Sequence, residues 1–484
     1  PGSFSRSDAL TGSRPRKRPS GKGNCWCQSL SHRRQKGTSK VNRKLRRSRL
    51  LVTADGTHVV AHAGARLLAD LADASGLTDG LSVAIAPTKQ RQRGHDRGHV
   101  LADLAVMIAD GGDTISDLAV LRDQPDLFGN VASTPTAWRT LEAIDAECRA
   151  RIAVARAAAR KKVWAAGADP GFYVIDFDAT LICSHSDKQG AAPTYKRGFG
   201  HHPLLAFLDA TGEALGGILR PGNAGSNTAA DHVELLAMAL AQLPVDPQAT
   251  EVVARADSAG LTHGFVDACR AAHVRFSIGF DLTEPVRTAC LTVPKQRWIP
   301  AVTADGSDER EGADIAEITD LLDLSRWPEG TRAIARRELP HPGAQLTFTD
   351  ADGHRFQVFI TDQTEGDIAY LEALQRGRGR AEKLICNAKD TGLTNLPSAD
   401  MAINAAWLTT ALIAHDLLAW CRLVALDGDL ARAEPKRLRY CLLHTAGTIA
   451  RSGRRTRLRL AAGWPWANDL LNAFTRVEAL RLQT

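Results

Sequence analysis

Three short stretches place acids where chemistry could be done. The first is Asp176-Phe177-Asp178-Ala179-Thr180, directly after the apolar run Phe172–Ile175. Alternation along a strand puts both carboxylates on one face. Two acids at the end of a core strand are costly unless a cation, a proton or hydrogen-bond donors compensate them. A metal site or a covalent nucleophile satisfies that condition, and so, more plainly, does a turn-capping Asp. The second stretch is Arg255-Ala256-Asp257-Ser258-Ala259-Gly260, again an acid after a short apolar strand, with small residues that permit close backbone approach. Facing the first pair, Asp257 would complete an oxygen-rich site for Mg²⁺, a hard ion; an N-cap for the following helix explains it as well. The third stretch is Arg376–Lys389. In a helix, Arg378, Glu382 and Lys389 are spaced by four and seven residues and fall along one face. An acid flanked by two cations suits a metal ligand with phosphate-gripping neighbours. The plain alternative is an intrahelical ion pair, worth about 0.3–0.5 kcal/mol.

The elements that must hold these residues can be read from periodicity. Apolar residues at three- and four-residue spacing predict helices within Ala61–Ala74, Val100–Ala109 and Trp138–Ala166. At Gly171 the pattern changes. Phe172–Phe177, Pro203–Asp209, Glu213–Leu219, Glu251–Arg255 and Val274–Gly279 read as strands, and His232–Leu243 and Leu261–Ala272 as helices. Strands followed by alternating helix and strand imply a mixed α/β sheet. The segment from about Leu291 to Thr361 is strand-rich, with strands at Gln345–Thr349 and Arg355–Ile360. After Asp367 the pattern is mostly helical to the end.

Charge adds a second clue. The 484 residues carry a net +7, but residues 1–50 hold 15 Lys/Arg against one acid, leaving 46 basic and 53 acidic residues in the mildly acidic remainder. Lys436–Leu460 holds eight basic residues and no acid, among them Arg454, Arg455 and Arg457. Clustered positive charge fits a polyanion, usually nucleic acid, although a solvated face reads the same way. Arg220-Pro221-Gly222-Asn223 reads as a loop able to approach phosphates, or simply as a turn. Arg376 and Arg380 flank the third acidic stretch. No run reaches about 18 apolar residues, so no membrane span is expected, and no signal peptide is evident. Nine cysteines in a chain this long suit buried, reduced thiols. His185, His201, His202 and His232 lack zinc-ligand spacing. Trp464-Pro465-Trp466 reads as a packed anchor or a base-stacking platform.

These pieces occur in a recognisable combination. Val174–Leu181 is followed by His185–Lys196, Gly198–Leu204, Arg220–His232, Arg255–Gly260 and Ala388–Pro397, with Gly111–Asp123 upstream. In these strings the sequence resembles insertion-sequence DDE transposases of the family numbered 1380, over roughly residues 50–480. The broader clan, named for insertion sequence 4, carries a Tyr-x₂-Arg-x₃-Glu-x₆-Lys signature. Arg378, Glu382 and Lys389 match it at the right spacing, and Gln375 stands where Tyr would be.

The resemblance implies an α/β fold: a ribonuclease H-like mixed sheet flanked by helices, interrupted by a β-rich insertion, with an all-α N-terminal domain. The implied parts are a basic tail over 1–48, a helical DNA-binding domain over 49–166, and a catalytic core over 167–290. An insertion over 291–362 and the rest of the core with a basic helical end over 363–484 follow. It also implies a catalytic, metal-holding triad of Asp178, Asp257 and Glu382, with Asp176 as the fallback acid. The implied cofactor is two Mg²⁺ ions about 3.5–4 Å apart, replaceable by Mn²⁺. Arg378, Lys389, Arg220, Arg376, Arg380, Arg454, Arg455 and Arg457 are the expected DNA contacts. The implied activity is cleavage at terminal inverted repeats and joining of 3′-hydroxyl ends to target DNA. In this clan the reaction often passes through a hairpin intermediate. A homodimer in the active complex and a cytoplasmic, nucleoid-associated location go with it. Two rivals stay open. One is a catalytically silent relative that only binds DNA. The other is a phosphatase using Asp176-x-Asp178-x-Thr180, with Asp427-Gly428-Asp429 as its second acidic pair.

Overall fold

The run Tyr-Val-Ile-Asp-Phe-Asp-Ala forms the strand around which the sheet is built, Tyr173–Ala179 (β1), its β-branched and aromatic side chains buried. In this computed structural model, residues 51–88, 94–184, 187–225, 228–340, 343, 350–351, 353–453 and 455–482 are described. The chain divides into Pro1–Gly56 and Thr57–Thr484. Of the first unit only residues 51–56 are described, without regular structure, so the basic tail expected over 1–48 lies outside the described residues.

On one side of β1 run the antiparallel strands Leu204–Leu208 (β2) and Ala214–Ile218 (β3). On the other side Val252–Ala256 (β4) and Arg275–Phe280 (β5) run parallel to it. Parallel neighbours need crossovers. The helix Ala229–Leu240 joins β3 to β4, and His263–Ala271 joins β4 to β5. Beyond β5 the sheet continues antiparallel through Ile299–Val302 (β6), Glu309–Glu317 (β7), Arg332–Glu338 (β8) and His354–Thr361 (β9). Spatially the order is β6-β7-β8-β9-β5-β4-β1-β2-β3, and Asp350–Ala351 also pairs with β9. The strand-rich segment is therefore an extension of the central sheet. The strand expected over Gln345–Thr349 lies outside the described residues.

Helices precede and cover the sheet. Ala65–Ala74, Leu77–Ile85, Arg97–Ala109, Thr134–Glu142 and Ala146–Val163 come before β1. The long helix expected within Trp138–Ala166 is two, because Asp145 caps the second by accepting from the Cys148 amide at 2.7 Å. Met401–Trp420 is apolar on nearly every side and packs on Arg97–Ala109, on Ala146–Val163 and on β3. With its extension to Ala425 it is long and apolar enough to cross a membrane, yet 78% of its apolar window is buried in the protein, which makes it a core helix. One hydrophobic core takes in Leu67, Leu104, Phe177 and Trp407 together, so the N-terminal helices and the sheet share it. The expected boundaries near 166, 290 and 362 fall inside the second unit.

Charge crosses this core. Arg160, wholly buried, donates to Glu213 at 2.8 Å and to Asp416 at 2.9 Å, and Arg156 donates to Asp416 at 2.8 Å. Trp164 and Trp420 donate their indole N–H groups to Glu213. The helical pattern expected after Asp367 is broken by a hairpin of Gly447–Ser452 and Arg455–Leu460. Its period is two, not 3.6. Ile449, Leu458 and Leu460 pack inward, whereas Arg455, Arg457 and Arg459 alternate outward, exposed.

Candidate active site

Strand register builds the site. In the β1–β4 pairing Asp176 lies beside Arg255, and the last pair is Phe177 with Ala256. Asp178 and Asp257 therefore sit just past the shared ladder, at the C-terminal ends of neighbouring parallel strands. In open α/β sheets ligands bind at such ends. Asp257 also caps the turn Ser258–Gly260, accepting from the Ala259 amide at 3.0 Å. The expected helix cap is corrected: Thr262 caps the helix His263–Ala271 by accepting from the Phe265 amide, and Asp257 caps only the turn before it.

Glu382 comes from a separate element. Ile368–Arg376 and Gly379–Ala388 are two helices with a break at Gly377 and Arg378, where one continuous helix was expected. Arg378 is the N-cap of the second helix and Glu382 lies in its first turn, where the dipole favours an acid. The Arg378 guanidinium reaches Asp178 at 3.3 Å and Glu382 at 3.9 Å. Burial pushes the Asp178 carboxyl up to about 6; Arg378 opposes this, and Asp257 and Glu382 add to it. The three acids thus share one electrostatic environment, with Arg378 as the cation the structure places against two of them. Lys389 stands half-buried at the end of the same helix, where Lys389–Leu393 widens and kinks at Thr391 and Gly392. Beside the acids lies a cavity of about 470 Å³ lined by Asp257, Gly279, Arg336, Gln375 and Arg378.

Two positions at the site carried no clear sequence signal. Gln375 donates to the Ala256 carbonyl at 3.1 Å and accepts from Ser277 at 2.8 Å, so it ties its helix to the residue before Asp257. Its spacing from Arg378 marked it as a departure, not as a brace. At Gly279 a Cβ would lie 2.8 Å from the Ser258 amide nitrogen and 3.2 Å from the Asp257 carbonyl carbon. Only a glycine lets β5 pass this close to the turn that aims Asp257.

Other singled-out residues are engaged elsewhere. Asp176 is fully buried and gripped at both oxygens by Arg255, at 2.6 and 2.8 Å. Burial pushes its carboxyl up to about 6, and the bidentate guanidinium pulls against that. Arg255 also donates to the Leu374 carbonyl and pairs with Asp209 at 3.2 Å. A carboxylate held this way is poorly placed to ligate a metal, which corrects its role as the fallback acid. Arg380 pairs with Asp209, and Arg376 pairs with Glu372 at 3.0 Å and donates to the Val302 carbonyl. Arg220 turns inward: it is buried and binds the His202 carbonyl at 2.9 Å, the Gly225 carbonyl and Asp231. That orientation corrects the expectation that it reaches DNA phosphates from this state. Arg455 and Arg457 are exposed on the hairpin, and Arg454 lies outside the described residues.

His201, His202 and His232 are buried, and each bonds locally: His201 to Ser184 and the Gln189 carbonyl, His202 to the Ala224 carbonyl, His232 to the Thr228 carbonyl. His185 lies outside the described residues. Trp464 donates to the Cys441 carbonyl at 2.7 Å and clusters with Tyr440 and Trp466, as a packed anchor does. Among the described cysteines none is in a disulfide; five are buried, and Cys183 and Cys386 are exposed.

The site is thus a set of hard oxygen donors at strand ends of a mixed α/β fold, the donor chemistry of a divalent-metal enzyme. The chain belongs to the family of the transposase DDE domain group 1, whose family model matches residues 42–482. DDE transposase domains generally use divalent metals. No curated protein matches the chain. Among solved structures it is similar to the cryo-EM structure of piggyBac transposase synaptic complex with hairpin DNA, at 9% identity and a TM-score of 0.35, covering 78% of this chain and 80% of that one. A likeness that faint says nothing further about this chain.

Proposed function

We propose that this protein binds the terminal inverted repeats of its own insertion sequence, cuts the DNA ends and joins the 3′-hydroxyls to target DNA. Asp178, Asp257 and Glu382 are its catalytic acids. The observation that carries the proposal is the meeting of two neighbouring parallel strand ends, which bear Asp178 and Asp257, with a distant helix whose Glu382 shares the Arg378 guanidinium with Asp178. The order β3-β2-β1-β4-β5, three antiparallel strands and then two parallel ones, supports a ribonuclease H-like core. The sequence strings support membership of the insertion-sequence family numbered 1380.

The acids fit a divalent cation because each offers only oxygen and one arginine offsets them. Two Mg²⁺ ions, or Mn²⁺ in their place, would supply activation of the nucleophile and stabilisation of charge on the leaving oxygen. The chain's own part is positional. Asp257 is aimed by its cap bond, Glu382 by the first turn of its helix, and Asp178 by the end of the central strand. Arg378, at the mouth between them, would swing from the acids to a phosphate beside the scissile bond, and Lys389 would hold the neighbouring phosphate. Water attacks phosphorus first and releases a 3′-hydroxyl; that hydroxyl then attacks the target phosphodiester in line. The exposed arginines of the hairpin and the N-terminal helices supply the DNA-binding surface. Two ends must be held together, so the working complex is a homodimer on double-stranded DNA, in the cytoplasm at the nucleoid. The locked state of Asp176 speaks against the phosphatase alternative, which needs that residue as nucleophile.

The test is a labelled duplex carrying the gene's own flanking repeats, incubated with Mg²⁺ or Mn²⁺ and with the wild type, Asp257→Asn or Glu382→Gln. Metal-dependent cleavage at the repeat boundary, lost in both variants while binding survives, is the expected result. Specific binding without cleavage by the wild type would instead establish the DNA-binding-only reading.

A further inference from the structure

We infer that His62, Asp110 and His444 form a second metal site, for a transition ion of the Zn²⁺ class, away from the three catalytic acids. The ligand atoms of these three residues all lie within 4.8 Å of one another. His62 Nδ1 is 2.6 Å from Asp110 Oδ2, and His444 Nε2 is 3.5 Å from Asp110 Oδ1. The two imidazoles stack obliquely, with ring centres 4.3 Å apart.

The independent sign of a ligand is Asp110 itself. Its side chain is only 4% exposed, and its Oδ1 accepts no hydrogen bond among the described residues. A buried carboxylate oxygen left so is costly. His444 relieves it only from a distance, because its Nε2 is 3.5 Å from Oδ1 but 2.8 Å from the Asp110 carbonyl, the nearer acceptor. A cation seated among the three would take up this oxygen and both ring nitrogens, releasing to solvent the protons those nitrogens now hold in hydrogen bonds to Asp110. Zinc bonds of about 2.0–2.2 Å place tetrahedral ligands roughly 3.3–3.6 Å apart. The His444 Nε2–Asp110 Oδ1 spacing already meets this; His62 Nδ1 now sits 2.6 Å from the other oxygen, Oδ2, and must turn from that bond toward the ion.

Ligand chemistry separates this site from the catalytic one. Two imidazoles and one carboxylate select Zn²⁺ and its neighbours, whereas oxygen-only sites suit Mg²⁺ or Mn²⁺. Three protein ligands leave a fourth position for water. Both histidines are partly exposed, and His444 borders a cavity of about 520 Å³ with Tyr440 and Trp464, which gives an ion an entry path. Arg439, bonded to the Ala109 and Asp390 carbonyls close by, is the opposing charge that the ion must outweigh.

Position gives the site a purpose. His62 follows Val59–Val60, which pairs with Gly447–Thr448, and His444 immediately precedes the arginine hairpin. Asp110 ends the core helix Arg97–Ala109. A bound ion would pin the base of the hairpin, from both of its chain neighbours, to the core.

The full chain carrying Asp257→Asn and Glu382→Gln, which weakens the catalytic site, is titrated with Zn²⁺ alone by calorimetry and with Co²⁺ by visible absorption. The expected result is one ion per chain, tetrahedral Co²⁺ bands without thiolate charge transfer, and affinity lower by about 100-fold on adding His444→Gln. His444 is partly exposed, so this variant should fold; its unfolding midpoint without metal checks that. As a second readout, Zn²⁺ should slow amide exchange at Ile449, whose N–H bonds the His58 carbonyl at 2.9 Å. No uptake, or uptake unchanged by His444→Gln, overturns the inference and leaves the cluster as a proton-bridged hydrogen-bond group. Because the readouts are binding and exchange, their failure is distinct from failure of the cleavage assay.

Discussion

Two assemblies of carboxylate and arginine occupy this molecule, and they are solved in opposite ways. Under the core helix, Glu213 and Asp416 meet Arg156 and Arg160 with side chains 0–5% exposed, and indole donors fill remaining acceptor capacity. Where two strand ends meet the helix Gly379–Ala388, Asp178, Asp257 and Glu382 gather with Arg378, which approaches Asp178 at 3.3 Å and Glu382 at 3.9 Å. The first set is charge-matched and welds the N-terminal helices to the sheet. The second is left acidic, and Asp178 carries the strain as a carboxyl raised to about 6. The difference teaches how two ion networks in one fold diverge: the structural one closes its own charge, and the one we propose as catalytic is left with acids that a divalent cation would offset.

The contrast can be broken most forcefully at Arg160. Arg160→Met leaves buried Glu213 without its paired cation and Asp416 with Arg156 alone, and loss of one partner from a buried ion network costs about 3–5 kcal/mol. Denaturant unfolding should show that loss, whereas Arg378→Met, at the mouth of the acidic site, should leave stability within about 1 kcal/mol. Equal losses from the two variants would erase the distinction.

Asp178→Asn should act in the reverse direction on stability. The Asp178 carboxyl lies above its ordinary value of 3.8, so between about pH 4 and 6 the folded state holds a proton that the unfolded chain has released. Its contribution therefore favours folding below that window and is lost as pH rises through 6. The full shift corresponds to about 3 kcal/mol at most. Without divalent metal, Asp178→Asn should raise stability at pH 8 by roughly 1–3 kcal/mol and abolish cleavage. It should also flatten the pH dependence of the unfolding midpoint between pH 4 and 6. A destabilised variant at pH 8 would mean that Asp178 is compensated like Glu213.

How far this was legible in the sequence differs between the two assemblies. The strands and crossover helices around Tyr173–Phe280 could be read because each apolar run is short and bounded by turn-forming residues, and several are β-branched or aromatic. Asp178 and Asp257 were legible because strand ends are where apolar periodicity stops, and Glu382 because its spacing from Arg378 and Lys389 matches the signature of the resembled clan. Asp176 and Asp178 looked alike, since alternation says which face a carboxylate takes but not that Arg255, 79 residues away in the chain, grips one of them. The buried network was invisible for the same reason: Arg156 and Arg160 sit in a helix whose other basic residues are half-buried or exposed, and only tertiary packing distinguishes them. The hairpin was missed because its arginines mask a two-residue alternation that Ile449, Leu458 and Leu460 carry alone.

A smaller effect sharpens the comparison inside the acidic site. Gly279→Ala would set a Cβ 2.8 Å from the Ser258 nitrogen, so either β5 or the Asp257 turn must give. No charge changes and no ligand is lost. If the site works by holding its acids in register, cleavage should fall by about tenfold, an effect of about 1.4 kcal/mol on the barrier. Binding to the end sequence should be unchanged.

The least effect is expected at the second strand of the hairpin, Arg455–Leu460, whose arginines are exposed. Arg455, Arg457 and Arg459 alternate on one face of a strand whose other face is anchored by Leu458 and Leu460. A phosphate contact from such a residue steadies the complex without reading bases, and its removal releases about one fewer counterion. Arg457→Gln should therefore weaken binding to specific and random duplexes alike, by a few-fold at most. It should lower the slope of log affinity against log salt by about 1, measured by fluorescence anisotropy across a salt series. A loss confined to the specific duplex would place Arg457 against base edges. An unchanged slope would remove the hairpin from the DNA surface and leave its arginines as a solvated face.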